Sequence, residues 1–137
     1  QSLRRETAAN TLASGLRSAR SEALMRNQTV IVHALNDDWG QGWRIILDVS
    51  GKGHEDPDNP LLVERRSGMG VAIMGNRYIK TAIRFGPLGG PVAGGFQAGT
   101  LHVCAAREAQ SQHQVVLASN GRISLRNEQA AQALCPG

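Results

Sequence analysis

Histidine and cysteine are the residues of this chain best suited to hold a metal or to carry out acid–base chemistry. The histidines are His33, His54, His102 and His113, and His102 alone has a second candidate ligand, Cys104, at strand spacing. A structural zinc site needs four such ligands, usually in two local pairs. No second pair follows in the sequence. We therefore predict neither a metal site nor a bound cofactor.

The other chemical motifs are equally incomplete. The segment 54–59 (HEDPDN) offers oxygen ligands of the kind calcium prefers, but its spacing does not match an EF-hand loop. The glycine clusters at 68–70 and 86–95 do not match a phosphate-binding motif. No G-x-S-x-G nucleophile motif is present. No catalytic residue is predicted, and an enzyme is a distant alternative.

Cys104 and Cys135 are the only cysteines of the chain. In an oxidising compartment they would form a disulfide that closes a loop of about 30 residues, which would stabilise the fold by roughly 3–4 kcal/mol. In a reducing compartment they would remain two buried thiols. The residues by themselves leave both alternatives open.

Arginine forms the one basic pattern with a defined geometry. In the segment 121–126 (GRISLR), alternation predicts a strand with Arg122 and Arg126 on one face, about 13 Å apart at roughly 3.3 Å per residue. Guanidinium groups at this separation suit phosphate groups. A second basic segment contains Arg77, Lys80 and Arg84. These residues are candidate DNA contacts, and the alternative is an ordinary solvated strand face.

The net charge supports the same pair of alternatives. The chain of 137 residues carries a formal charge of +4, and Lys52 and Lys80 are the only lysines among its 15 basic residues. Acidic residues concentrate in the segment 37–58, whereas bases are in surplus over 61–137. A basic C-terminal half is compatible with an anionic partner such as nucleic acid. It is also typical of a soluble, arginine-rich surface.

The first element that must position these residues is a long helix predicted over 3–26. Its apolar residues recur at spacings of three to five positions. They form one stripe, which we expect to pack on a sheet. The packing residues of this stripe are Leu12, Leu16, Ala19 and Ala23. Asn27 can end the helix. Gly15 costs up to about 1 kcal/mol relative to alanine in a helix interior, and the local sequence gives no reason for it.

The remainder of the chain predicts strands. The first strand, near 30–33, carries apolar residues on both faces, and the next run places Trp43, Ile45, Leu47 and Val49 on one face. The segment 50–60 is rich in Gly, Asp and Pro and predicts an exposed loop. Further strands are predicted at 61–66, 71–74, 79–85, 99–105, 114–118 and 122–126. The expected fold class is α+β, a long N-terminal helix on an antiparallel β-domain of about seven or eight strands.

Several segments together resemble the GspH/FimT-type family of minor type IV pilins and type II secretion pseudopilins. They are 16–27 (LRSARSEALMRN) followed by 28–34 (QTVIVHA), 39–48 (WGQGWRIILD), 84–90 (RFGPLGG), 99–104 (GTLHVC) and 115–125 (VVLASNGRISL). The resemblance covers most of the chain and implies a type IV pilin-like fold. Residues 1–27 would be the C-terminal half of the pilin helix, without its membrane half, and residues 28–137 the globular head.

The resemblance implies a location and a role. Such proteins lose a short leader, are methylated, and keep an apolar helix in the inner membrane of a Gram-negative bacterium. The head would lie in the periplasm and in the pilus filament, which suits a Cys104–Cys135 disulfide. Its partners would be other minor and major pilins or pseudopilins. The expected function is to prime or cap assembly of a type IV pilus near the filament tip, and the alternative is a minor pseudopilin of a type II secretion system.

The resemblance also bears on DNA binding. Some pilus members of the family bind DNA non-specifically during natural transformation, and a C-terminal Gly-Arg-x-Arg motif is linked to that activity. Gly121 and Arg122 match this motif, whereas Ser124 occupies the position of its second arginine. Arg126 lies two residues further on the same predicted face and is a candidate substitute.

Overall fold

The computed structural model describes residues 2–66, 71–76, 79–88, 99–105 and 113–127. They form one long helix and eight strands, which are arranged in two sheets. The helix and both sheets contribute to one hydrophobic cluster. The predicted α+β architecture, with a long N-terminal helix ahead of seven or eight antiparallel strands, is confirmed.

The helix, α1, extends over Ser2–Arg26, close to the predicted range. Its buried face consists of alanine and leucine at helical spacing, each at most 2% exposed: Ala9, Leu12, Ala13, Leu16, Ala19 and Ala23. Alanine predominates on this face, and its short side chain lets the helix backbone approach the sheets closely. The helix therefore buries a stripe that is mostly alanine, with Leu12 and Leu16 as its larger apolar side chains.

The end of α1 follows the predicted stop signal. Asn27 adopts a left-handed conformation with φ of 52°, and the backbone N–H of Gln28 donates to the Ala23 carbonyl at 3.2 Å. This hydrogen bond satisfies one of the last helical carbonyls, as in the Schellman C-terminal cap. The chain then turns directly into the first strand.

The eight strands pair only with antiparallel neighbours. Their bounds are β1 (Val30–Ala34), β2 (Gly42–Leu47), β3 (Leu61–Arg66), β4 (Val71–Gly75), β5 (Ala82–Phe85), β6 (Gly99–Ala105), β7 (His113–Leu117) and β8 (Ile123–Arg126). Sheet A has the order β3-β2-β1-β5, and sheet B has the order β4-β6-β7-β8. Because α1 contacts β1 and β5 as well as all four strands of sheet B, one helix joins the two sheets.

Strand β1 is buried on both faces, as its sequence predicted. Val30 and Val32 belong to the main hydrophobic cluster. Ile31 and His33 alternate with them on the outer face of sheet A and are also buried. A short 3-10 turn at Gly53–Glu55 contacts β1 and covers this outer face.

The expectation of an exposed loop over 50–60 is wrong at two residues, because Gly53 and Asn59 are buried. Both serve the Asp48 carboxylate, which is itself only 3% exposed. Its Oδ1 accepts hydrogen bonds from the backbone N–H groups of Gly51 and Gly53, each at 3.0 Å, and from Asn59 Nδ2 at 3.1 Å. A buried carboxylate needs such donors, and loop composition does not reveal that requirement.

The end of β2 also differs from the prediction. The strand ends at Leu47, and Val49 is 61% exposed instead of sharing the inner face. The Val49 backbone N–H donates to Asn59 Oδ1 at 3.0 Å, so the chain turns away from the sheet to meet the loop. The Val49 N–H thus bonds to a side-chain oxygen instead of to a carbonyl of a neighbouring strand.

The fifth strand is shorter than predicted and begins at Ala82 instead of residue 79. Ile79 is fully buried, but its backbone belongs to a turn in which its N–H donates to the Asn76 carbonyl at 3.0 Å. The Ile79 carbonyl accepts from the Trp39 indole at 3.1 Å. Ile79 is thus a buried apolar residue in a turn, and its sequence pattern was the same as that of a strand residue.

Gly15, unexplained by the sequence, lies directly against the Trp43 ring. A Cβ at Gly15 would lie 2.7 Å from Trp43 Cζ2 and closer still to Cη2. Contacts this short do not occur between real side chains, and Trp43 is buried at 4% exposure, which leaves its ring little space to move. The missing side chain is thus required for β2 to pack against α1.

We therefore predict that Gly15→Ala destabilises the protein even though alanine is the better helix former. Overpacking against Trp43 should lower the free energy of unfolding by about 1–3 kcal/mol, which exceeds the helix-propensity gain of up to about 1 kcal/mol. Urea denaturation measures the change. The control is Ser14→Ala, at the exposed neighbouring position, which should change stability by less than about 0.5 kcal/mol. A Gly15→Ala variant more stable than the parent would contradict this account.

Candidate functional site

The turn between β7 and β8 positions the first candidate arginine. Gly121 has a φ of 91°, a left-handed conformation that favours glycine. The Gly121 N–H donates to the Ala118 carbonyl, and the Ala118 N–H donates to the Arg122 carbonyl, both at 2.9 Å. Asn120 Oδ1 accepts from the Arg122 N–H at 3.0 Å. These bonds fix the backbone of Arg122 at the entrance to β8.

Strand β8 presents polar side chains to solvent at the edge of sheet B. Arg122, Ser124 and Arg126 are all exposed, whereas Ile123 is buried at 6% exposure in the main cluster. Leu125 was predicted on the inner face with Ile123, and it is 39% exposed. Arg122, directly before the strand, and Arg126, at its end, are therefore both exposed at this edge.

A third arginine, Arg17 of α1, reaches the same edge. Its Nη2 donates to the Ile123 carbonyl at 3.2 Å, between the positions of Arg122 and Ser124 along β8. Sequence reasoning missed this residue, because the contact spans 106 positions and no local pattern marks it. Within the part of the chain that the structure describes, none of Arg17, Arg122 and Arg126 forms an ion pair. We call these three residues the edge arginines.

The second basic segment does not join the edge arginines. Arg84 lies on β5 in sheet A, and its Nη1 donates to Asp48 Oδ2 at 3.0 Å. Lys80 is exposed just before β5, and Arg77 lies outside the described residues. Arg84 is therefore part of the buried Asp48 network, on a different sheet from Arg122.

The histidines and cysteines do not assemble a metal site in the part of the chain described. No three His, Cys, Asp or Glu side chains of the described residues lie close enough to hold an ion. His102 and Cys104 lie on β6, and burial lowers the pKa of His102. Cys104 is fully buried, whereas Cys135 lies outside the described residues. The disulfide between them stays a prediction.

A groove of about 570 Å³ lies between α1 and strands β2 and β3 of sheet A. Its lining residues are Asn10, Thr11, Ser14, Gly15, Ser18, Trp43, Ile45, Val63 and Arg65. Small polar side chains of α1 form one wall, and apolar side chains of β2 and β3 form the other. Among the described residues, β3 has no strand partner on its second edge, and Leu61 on that strand is 54% exposed. We call this surface the α1–β3 groove.

The described part of α1 does not have the length of apolar sequence that would let it cross a membrane. Its exposed faces carry polar and charged residues between the buried positions.

Two solved structures share this arrangement over nearly the whole chain. The type IV minor pilin FimU of Pseudomonas aeruginosa is similar with a TM-score of 0.74 and 20% sequence identity, covering 93% of this chain and 93% of FimU. The minor pseudopilin EpsH of the Vibrio cholerae type 2 secretion system is similar with a TM-score of 0.65 and 12% identity, covering 89% and 95%. The chain therefore has the fold of these minor pilins and pseudopilins, as predicted.

A family model then identifies the group within that class. The model of the type II transport protein GspH matches residues 8–121. This match covers most of the chain, so the protein belongs to the GspH family, and the predicted family resemblance is confirmed. No curated protein sequence matches the chain significantly.

The effect of an alanine substitution on stability distinguishes Arg84, which is paired with a buried carboxylate, from the exposed edge arginines. Arg84→Ala leaves the Asp48 side chain, 1% exposed, without its cation. Removing one partner of a fully buried pair costs about 3–5 kcal/mol. Because the Arg84 side chain is 33% exposed, we predict a smaller loss of about 2–3 kcal/mol in the free energy of unfolding.

The matched control is Arg122→Ala, which should change the unfolding free energy by less than about 0.5 kcal/mol. Urea denaturation of both variants beside the parent makes the comparison. Equal stability of the Arg84 variant and the parent would show that the pair with Asp48 does not stabilise the fold.

Proposed function

We propose that this protein is a non-enzymatic structural subunit that primes or caps a type IV pilus near the tip of the filament. The observation that carries the proposal is the 25-residue helix packed on a head that matches the GspH family. In this role the head would lie in the periplasm, anchored in the inner membrane by an apolar segment ahead of residue 1. An oxidising periplasm would also favour the Cys104–Cys135 disulfide.

The α1–β3 groove is the surface we propose for contact with a neighbouring subunit. It combines an apolar wall, polar side chains able to form hydrogen bonds, and the exposed guanidinium of Arg65. Specific protein interfaces have this composition, an apolar centre with a polar rim that carries arginine. The partners would be other minor and major pilins.

A minor pseudopilin of a type II secretion system is the alternative within the same class. It would use the same helix and head, and its filament would serve protein export. Deleting the gene separates the two machines. Loss of twitching motility with normal exoprotein release would assign the protein to the pilus, and the reverse result would assign it to secretion.

We predict that Ser18→Trp in the full-length protein blocks association with the other pilins of its own system. The indole would occupy the α1–β3 groove, and we expect copurification to fall at least about tenfold, equivalent to roughly 1.4 kcal/mol. The measurement is copurification from the native membrane, together with piliation in the strain that carries the variant.

The matched control for this experiment is Ser21→Trp, which adds the same indole to an exposed position of α1 that does not line the groove. This variant should copurify like the parent. Equal loss with both variants would remove the groove from the proposal, and normal association of both would contradict a subunit contact at this face.

A second proposed function, compatible with the first, is non-specific capture of DNA by the edge arginines. Arg122 directly precedes β8 and Arg126 is its last residue, and Arg17 approaches the strand between them. The strand edge fixes the backbone of Arg122 and Arg126, so on binding they would lose mainly side-chain freedom. Phosphate contacts of this kind carry no base specificity. Lys80, just before β5, is a separate candidate DNA contact, and Arg77 lies outside the described residues.

We predict that the chain binds duplex DNA with an affinity that falls steeply with salt, and that Arg122→Ala/Arg126→Ala weakens this binding. Each lost phosphate contact should reduce the slope of log K against log salt by about 0.9, so the double variant should lose roughly 1.8. Fluorescence anisotropy with a labelled duplex across a salt series measures both quantities.

The control for this prediction is Arg65→Ala/Arg66→Ala, which removes the same charge from the exposed end of β3 in sheet A. Equal weakening by the two double variants would show a general charge effect and no site at β8. Absence of DNA binding at low salt would remove the second function and leave the filament role unaffected.

A further inference from the structure

The outer face of sheet A carries a covered apolar patch that the filament and DNA proposals do not use. Ile31 of β1 and Ile46 of β2 lie opposite each other in register, and they are 0% and 5% exposed. The turn Gly53–Glu55 covers the β1 side of this patch, and a Cβ at Gly53 would lie 3.7 Å from Ile31 Cδ1. The loop is thus packed on the sheet at this point.

One attachment of this loop does not depend on pH near neutrality. Asp48 Oδ1 accepts from Gly51, Gly53 and Asn59, and Asp48 Oδ2 accepts from Arg84. Amides do not titrate, and carboxylates and guanidinium groups ordinarily titrate far from neutral pH. This network holds the base of the loop in place.

The second attachment consists of two imidazole rings. His54, exposed at the tip of the turn, stacks on His33 of β1, with ring centroids 4.3 Å apart and an interplanar angle of 13°. Neutral rings can stack at this distance, whereas two imidazolium ions would repel each other. Histidine is the side chain that ordinarily changes charge between about pH 5 and 8.

The charged groups around His33 come from each element that packs on it. Arg44 is its cross-strand neighbour on β2, and Asp37 follows β1 in the short turn Leu35–Asp37. Burial, then the charge of His54, lowers the pKa of His33 below its ordinary value of 6.5; Arg44 acts in the same direction, while Asp37 opposes it. The net direction favours neutral His33 in the closed arrangement.

We propose that the His33–His54 stack is an acid-released clasp, which frees His54 and Glu55 from the outer face of β1 and uncovers His33 while the Asp48 network keeps Gly53 in place. Freeing His54 would remove part of the burial and the neighbouring charge that lower the pKa of His33, so the open turn would bind more protons than the closed turn. The closed form is therefore fully favoured above pH 6.5, the ordinary value. This preference is lost progressively as the pH falls through the lowered pKa of His33.

The test is an NMR pH titration of the isotope-labelled chain between about pH 7.5 and 5, the range in which histidine titrates. The Asp56 N–H donates to the Gly53 carbonyl across the turn, and its exchange, corrected for the intrinsic rate, should become at least about tenfold less protected as acid frees His54 and Glu55. Over the same range, the His33 ring protons should become accessible to a soluble paramagnetic probe. The backbone amides of Gly51 and Gly53, which donate to Asp48, should change much less.

Two variants make the result specific. His54→Phe keeps an aromatic ring on His33 without a titratable group, so its turn should stay closed down to the lowest pH. His102→Asn removes a different histidine, on β6, and should leave the transition unchanged. An unchanged turn in the parent across this range, or the same transition in His54→Phe, would overturn the clasp.

Discussion

The close packing of an alanine-rich helix face is the constraint on which the rest of this structure depends. One side of α1 touches strands of both sheets, and its buried alanines and leucines are at most 2% exposed. Alanine adds little apolar area of its own, so most of the stabilisation comes from the larger side chains of the sheets that it allows to bury. Gly15 is the extreme case, because the Trp43 ring occupies the space that any side chain there would need. The helix contacts both sheet A and sheet B, and the turn Trp39–Gln41 also contacts β4, so these contacts together fix the relative positions of the sheets.

Polar side chains around that core are either buried with hydrogen-bond partners or exposed to solvent. Asp48 is buried and collects three N–H donors and one guanidinium, which orders a loop that is otherwise made of turn-forming residues. The edge arginines have the opposite character, since they are held on a firm backbone and remain open to solvent. The same residue type is thus paired with a buried carboxylate at Arg84 and exposed to solvent at Arg122. Local sequence does not distinguish the two, because the difference depends on a carboxylate 36 positions away.

Periodic features of the chain were predictable, and contacts between distant segments were not. The helix, its cap at Asn27, and the strands β1, β3 and β6 follow from apolar spacing and turn residues that act over a few positions. Ile79 was predicted in a strand because it is apolar, but an apolar pattern does not distinguish a buried turn residue from a buried strand residue. Val49 was predicted on the inner face of β2, but its backbone N–H bonds to the Asn59 side chain, which lies outside the strand. At the candidate site, alternation located Arg122 and Arg126. It could not locate Arg17, which reaches β8 only after α1 has packed.

Strand β1 has a consequence for how the chain reaches this state. It pairs with β2, which follows it closely, and with β5, which follows only after β2, β3 and β4. Until β5 is in place, one edge of an almost wholly apolar strand stays unpaired, and such an edge can pair with another chain. A fragment that ends before Ala82 would therefore tend to aggregate, however complete its helix. The order in which segments emerge during synthesis thus affects how long this chain is vulnerable to misassembly.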